Sequence, residues 1–379
     1  MKFDVLLTAA AKFAACTVMV GSLIGCSSTP DKPKPAELAP NAGLLGVRLA
    51  WTSKVGVVDF PLDVKVDDGA VAVASSDGVV ASFDARTGAD LWRTNIGSQI
   101  AAGVGSDGKF AAVVTRGNEL VTLDGGREIW RQKLSAQGFT APLVAGGRVF
   151  ILAADRSITA FDGLSGRKLW VQQRPSESLV LRQAGVLLAV GDTLVAGLSG
   201  RLVGISPANG AILWEAPIAS PRGTNDIERL VDLVGRVSRD GDVVCARAFQ
   251  AAVGCVNASR GTLVWTKPAL GHVGIHGDDK QVYGVESDGK VMAWRRIDGE
   301  RVWVSERLRY RSLTAPLVVG RSVAVGDDAG LVHLLSREDG SALTRVATDG
   351  SAVVAAPVLA AGTLVVVTRS GGVFGFVPE

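Results

Sequence analysis

The chain has 379 residues, a formal net charge of +3, and 20% charged side chains against 47% hydrophobic ones. That balance allows a large buried core and excludes a chain disordered throughout, and so small a positive excess excludes nucleic-acid binding by phosphate neutralisation. Length alone suggests two or three domains, but a repeat array can close a domain of this size as one unit.

The first 26 residues read as a targeting segment. Lys2 supplies a positive start, and the run from Val5 to Ile24 is largely apolar although Lys12 interrupts it. It ends in Leu23-Ile24-Gly25-Cys26, which resembles the bacterial lipobox, whose cysteine is lipidated and becomes the first residue of the mature protein. An ordinary signal peptide that happens to contain a cysteine is the alternative. On the lipobox reading, residues 1–25 are removed and Cys26 carries the lipid, while Ser27 in place of Asp implies the outer membrane. No other apolar run is long enough to span a bilayer. Ser27 to Pro40 contains four prolines and alternating small charges, so residues 26–42 are expected to be a flexible tether before a folded domain over 43–379.

Within that domain a Gly-x-x-x-Trp phrase recurs, first as Gly88-Ala89-Asp90-Leu91-Trp92. Its tryptophans are Trp92, Trp130, Trp170, Trp214, Trp265 and Trp303, separated by 38, 40, 44, 51 and 38 residues. A period near 40 marks a repeat architecture. Between tryptophans the grammar is constant, as residues 140 to 170 illustrate. Thr140 to Val144, Val149 to Ala153, Ile158 to Phe161 and Lys168 to Gln172 are short β-prone runs separated by Gly-, Asp- and Ser-containing turns. Four antiparallel strands per repeat predict a β-propeller blade, and no amphipathic helix is expected in the mature chain.

Six tryptophans close six repeats. A seventh runs from about Thr314 to Val346, with Leu343-Thr344 where the aromatic should stand, and an eighth stops at Glu379 after three strands. The missing strand is at the other end of the chain: Trp51, in Val47-Arg48-Leu49-Ala50-Trp51-Thr52, lies 41 residues before Trp92 and in phase with the ladder. The expected fold is therefore an all-β, eight-bladed propeller whose N-terminal strand completes the last blade and removes two open sheet edges; seven blades is the competing count. The ladder tryptophans are read as packing pins between blades, with the out-of-phase Trp294 as core packing.

Of four cysteines, Cys245 and Cys255 remain in the folded part. Their counterparts in the first repeat, Ala72 and Ser82, lie symmetrically about the turn Ser75-Ser76-Asp77-Gly78, so the pair should face each other across a hairpin. A cross-strand disulfide or two buried thiols are both compatible with that placement. Catalytic sets are not apparent. Gly103-Val104-Gly105-Ser106-Asp107-Gly108 matches G-x-G-x-x-G but no helix follows it, and it is read as a turn. His272 and His276 lack the helix and the glutamate of a zinc motif, and His333 stands alone. No metal site or cofactor is expected.

The repeats resemble the PQQ-type propeller family of quinoprotein dehydrogenases, which generally use adjacent cysteines beside a quinone. Cys245 and Cys255 are not adjacent, and no clustered Glu, Asn and Asp set stands out. Lipobox, proline tether, tryptophan-marked repeats and shared terminal blade together resemble the BamB family, lipoproteins of the outer-membrane β-barrel assembly machinery. That resemblance covers essentially the whole mature chain. It implies a non-catalytic scaffold, monomeric within a hetero-complex, lipid-anchored at the periplasmic face of the outer membrane. The partners it implies are the POTRA domains of BamA, other members of the complex and nascent outer-membrane proteins. The family's Leu-x-Leu-Arg contact motif is matched by Leu179-Val180-Leu181-Arg182. Its acidic loop is matched by Ile227-Glu228-Arg229-Leu230-Val231-Asp232-Leu233-Val234, where Asp232 stands for the first Asp and Val234 replaces the second. The resemblance thus implies contact roles for Leu179, Leu181, Arg182, Arg229 and Asp232. Both segments lie in the two longest steps of the ladder, 44 and 51 residues. A quinoprotein dehydrogenase or a generic periplasmic ligand-binding propeller are the alternatives.

Overall fold

Runs of Val, Ala and Gly bounded by Gly- and Asp-containing turns fold here into eight four-stranded antiparallel sheets arranged as the blades of a propeller. The computed structural model describes residues 33–173, 179–221 and 230–379. The chain divides into two units, residues 1–34 and 35–379, and of the first only Pro33 and Lys34 are among the described residues. Cys26 lies outside them. The ring belongs to the second unit. No described helix is long and apolar enough to cross a membrane.

Blade 1 comprises β2 (Lys65–Asp67), β3 (Ala70–Ala74), β4 (Val79–Asp84) and β5 (Asp90–Asn95), and six further blades repeat this order in sequence. The eighth is ordered β1 (Val47–Lys54), β32 (Gly372–Pro378), β31 (Thr363–Val367), β30 (Val358–Ala360), so that β1 supplies its outer strand against β32. The register Val47↔Pro378 through Lys54↔Gly372 joins the chain ends directly. The innermost strands that follow the Ala-Pro phrases are short and start after, not on, the prolines: β10 is Leu143–Ala145 and β26 is Leu317–Val319. A proline cannot donate to the ladder, so the strand begins one residue later.

Burial explains the composition of each strand. Middle strands lie between two neighbouring blades and are buried on both faces; all six residues of β7 (Phe110–Thr115) are buried. Outer strands face solvent on one side, and β5 alternates accordingly. Full burial of a Val or Leu side chain contributes roughly 1.5–3 kcal/mol, so these inter-blade layers are the main source of stability.

The Gly-x-x-x-Trp phrase is a two-part joint. Each tryptophan packs on the phrase glycine of the next blade: Trp51 on Gly88, Trp92 on Gly126, Trp130 on Gly166, and so on to Trp303 on Gly340. A Cβ at Gly166 would stand 2.6 Å from Trp130 Cδ2, and φ there is +69°, so glycine is required both by the approach and by the backbone. The indole N–H then donates to a carbonyl of the following blade, as from Trp130 to Gly163 at 2.9 Å and from Trp265 to Arg296 at 2.7 Å. Blade 7 places Thr344 at the tryptophan position, opposite Leu334. There the neighbouring blade has no strand-connecting turn to receive an indole, because it is built from the two chain ends. The segment before β1 runs along this outer strand instead. Leu44 N–H donates to Leu343 O at 2.7 Å, Arg321 donates to Leu44 O at 2.8 Å, and Leu38 and Leu45 pack on the adjoining core. Docking thus begins at Ala36, whose N–H donates to Arg309 O at 2.9 Å.

Cys245 and Cys255 are directly opposed in β19 (Val243–Ala248) and β20 (Ala252–Asn257), as are Ala72 and Ser82 in blade 1. They form a disulfide with fully buried sulfurs. Trp294 is buried beneath the Arg247 guanidinium, 5.9 Å from its ring centre. The G-x-G-x-x-G match is not a turn: Gly103 to Ser106 belong to β6 (Ile100–Ser106), the innermost strand of blade 2. Only Asp107 and Gly108 turn, and Gly105 is needed because a Cβ would meet Pro142 O of blade 3 at 1.9 Å.

Candidate functional site

The two long steps of the tryptophan ladder become the connections from blade 3 to blade 4 and from blade 4 to blade 5, and their ends meet. Leu179 to Gln183 lead into β14 (Leu187–Val190), and Asp232 immediately precedes β18 (Leu233–Asp240). Residues 174–178 and 222–229, Arg229 included, lie outside the described residues.

Asp232 ties the site together. Its Oδ1 receives Arg156 Nη2 at 3.0 Å, and its Oδ2 accepts the N–H of Leu181 at 3.0 Å. Arg156 Nη2 also donates to Leu179 O at 3.0 Å. The backbone on both sides of Val180 is therefore held by one ion pair, whose side chains are 6% and 14% exposed. Screening is weak at such depth, so charge-assisted bonds of this kind are stronger than surface ones. Asp232 spends its carboxylate within the chain, and Arg182 does not pair with it. Arg182 is exposed, its guanidinium 5.7 Å from the centre of the Phe139 ring.

The outcome is a fixed loop with an apolar face. Leu179 is 42% exposed and Val180 37%, while Leu181 turns partly into a small hollow lined by Phe139, Leu152, Leu198 and Leu233. Two exposed aliphatic residues beside an exposed arginine, on a backbone that cannot relax, suit a protein-binding contact with an apolar anchor and a charged rim.

Arg156 was not legible as a site residue. It occupies the turn between the second and third strands of blade 3, where Gly78, Gly289 and Gly330 stand in other blades, with φ +60°. A left-handed arginine in a glycine position is costly, and that misfit was the available signal. The described residues contain no group of three or more His, Cys, Asp or Glu able to hold a metal ion. His333 instead bonds Asp327 through Nε2 at 2.9 Å, inside blade 7.

A second ionic feature lies between blades 5 and 6. Arg247, fully buried, pairs with Glu286 at 2.9 Å, and burial lowers its basicity while Glu286 opposes the shift. Its depth makes it a structural joint between blades.

Comparison with known proteins agrees with the fold. A family model described as "Outer membrane protein assembly factor BamB" matches residues 76–305, more than half of the chain. A protein of that name from Burkholderia pseudomallei is 38% identical over 96% of this chain and 97% of its own length. One from Bordetella pertussis is 36% identical over 92% of each. Among solved structures, BamB from Moraxella catarrhalis superposes with a TM-score of 0.79 at 24% identity, covering 87% of this chain and 99% of that one. A quinohemoprotein alcohol dehydrogenase from Comamonas testosteroni reaches a TM-score of 0.67 at 15% identity, covering 91% and 79%, which shows a common fold and no more.

Proposed function

Since the chain belongs to the BamB family of outer membrane protein assembly factors, we propose that it is a non-catalytic scaffold of the β-barrel assembly complex, docking on the POTRA domains of BamA. The observation that carries this reading is the braced loop: Leu179 and Val180 project from a backbone locked at Leu179 O and Leu181 N by the Arg156–Asp232 pair. Leu179, with Val180 and the part of Leu181 left outside its hollow, supplies the apolar anchor, and Arg182 meets a carboxylate or carbonyl of the partner. Asp232 acts on the partner indirectly, by positioning this loop. Arg229, on the neighbouring connection, is a candidate for the rim. Assistance to nascent outer-membrane proteins follows from membership in the complex.

The placement we propose is lipid-anchored through Cys26 at the periplasmic face of the outer membrane. Affinity capture from detergent-solubilised envelopes with the full-length lipoprotein as bait tests the function. Recovery of BamA is expected, and its absence under conditions that preserve the rest of the complex overturns the reading.

A further inference from the structure

A second feature lies on the propeller axis. Strand β18 loses register with β19 between Val234 and Ser238, leaving Gly235, Arg236 and Val237 as a bulge on the innermost strand of blade 5. Both neighbouring blades are shaped to accept it. A Cβ on Gly274 of blade 6 would stand 1.9 Å from Arg236 N, and Gly235 lies against Gly185 O of blade 4, where a Cβ would come within 2.7 Å. Bulges re-aim side chains, and this one sends the Arg236 guanidinium across the central channel. There Nη1 donates to Pro357 O at the entry to blade 8, 2.9 Å away.

That carbonyl takes one of five N–H donors. None of the other guanidinium nitrogens is walled in without a partner, and Arg236 lines a central cavity of about 930 Å³. Among the described residues no carboxylate forms an ion pair with it. Asp63, whose field reaches it, is already paired with Lys65 at 3.7 Å. His276 lines the same cavity. Its Nδ1 accepts the N–H of Val318 at 3.2 Å, which leaves the ring proton on Nε2 as a second donor. Leu62, Val273 and Val318 add apolar wall.

We propose that the central channel binds a small organic carboxylate, gripped by the free edge of the Arg236 guanidinium with His276 Nε2–H as second donor and its apolar body against Leu62, Val273 and Val318. The planar fork of arginine matches a carboxylate bidentately. A single guanidinium fork suits a monoanion, and Asp59, Asp63 and Asp328 in the same lining disfavour a dianion such as phosphate. The volume falls in the usual range for small-molecule sites. This site does not depend on the docking reading.

The test is calorimetric titration of the full-length protein, in a buffer without carboxylates, with 2-naphthoate and with the neutral 2-naphthol. Naphthoate is expected to bind one per chain and at least tenfold more tightly than naphthol. Arg236→Met should weaken naphthoate at least tenfold, and Arg236→Lys, which keeps the charge but not the fork, severalfold. Arg369→Gln, which removes another cation of the lining, should change it less than twofold. Absence of naphthoate binding at millimolar concentration, equal binding of naphthol, or undiminished binding by folded Arg236→Met each overturns the proposal. The naphthoate–naphthol comparison on the wild-type protein decides the matter even if the variants do not fold.

Discussion

Replacing Asp232 by alanine should loosen the docking loop without touching its exposed side chains. The carboxylate accepts two bonds at 3.0 Å, from Arg156 and from the N–H of Leu181. Hydrogen bonds to charged groups are worth about 1.5–3 kcal/mol each, and Arg156, mostly desolvated, would lose its carboxylate partner while keeping its contact with Leu179 O. Partial exposure of Asp232 tempers the loss, so Asp232→Ala should cost about 2–4 kcal/mol. Arg156→Ala should cost a similar amount, and the double variant clearly less than the sum, with a coupling of about 1–2 kcal/mol. Urea unfolding of the wild type, both single variants and the double variant measures each term. A coupling below about 0.5 kcal/mol would refute the claim that this pair braces the loop.

Other consequences follow from the inter-blade joints. Glu286→Ala should cost about 3–5 kcal/mol by stranding the buried Arg247, and adding Arg247→Met should recover most of it, read as urea midpoints. Gly166→Ala forces its Cβ against Trp130 in a left-handed backbone, whereas Gly191→Ala, also left-handed at φ +53°, meets no atom within 4 Å. The first should cost about 2–4 kcal/mol and shift indole fluorescence; the second should cost only the backbone term of about 1–2 kcal/mol. Acid should weaken the fold through His276. Burial first, and then Arg236 and Arg296, depress its pKa to about 3, with Asp278 opposing. Between the unfolded value of 6.5 and about 3 the unfolded chain therefore binds the extra proton, so stability is full above pH 6.5 and falls as pH drops through that window. The slope approaches tenfold in the folding equilibrium per pH unit. The urea midpoint should fall from pH 7.5 to pH 5, and more steeply for wild type than for His276→Asn.

What could be read from the chain and what could not divide along a physical line. Repeat period, turn residues and strand patterning are local, and they located the eight blades, the terminal closure through Trp51 and the facing positions of Cys245 and Cys255. Partner choice across blades is not local. Asp232 was legible as acidic and loop-borne, but its commitment to Arg156, 76 positions earlier in the numbering, depends on how two connections fold over a turn of blade 3. The glycine of the repeated phrase read as turn chemistry, yet it also receives the previous blade's indole. The prolines of residues 27–40 suggested a free tether, whereas Leu38 already packs on blade 7, because the missing tryptophan leaves an outer strand to cover. Arg236 reaches the channel only through a register shift that no local pattern announces.

The most direct test of the docking account is the affinity of the purified protein for the POTRA domains of BamA from the same organism. It should be compared among wild type, Leu179→Ala with Leu181→Ala, and Arg182→Glu. The account predicts at least tenfold weaker binding by each variant, with an unchanged melting temperature for Arg182→Glu, whose side chain is exposed, and a modest fall for the double leucine variant, because Leu181 also packs partly into its own hollow. Undiminished binding by both folded variants would contradict it.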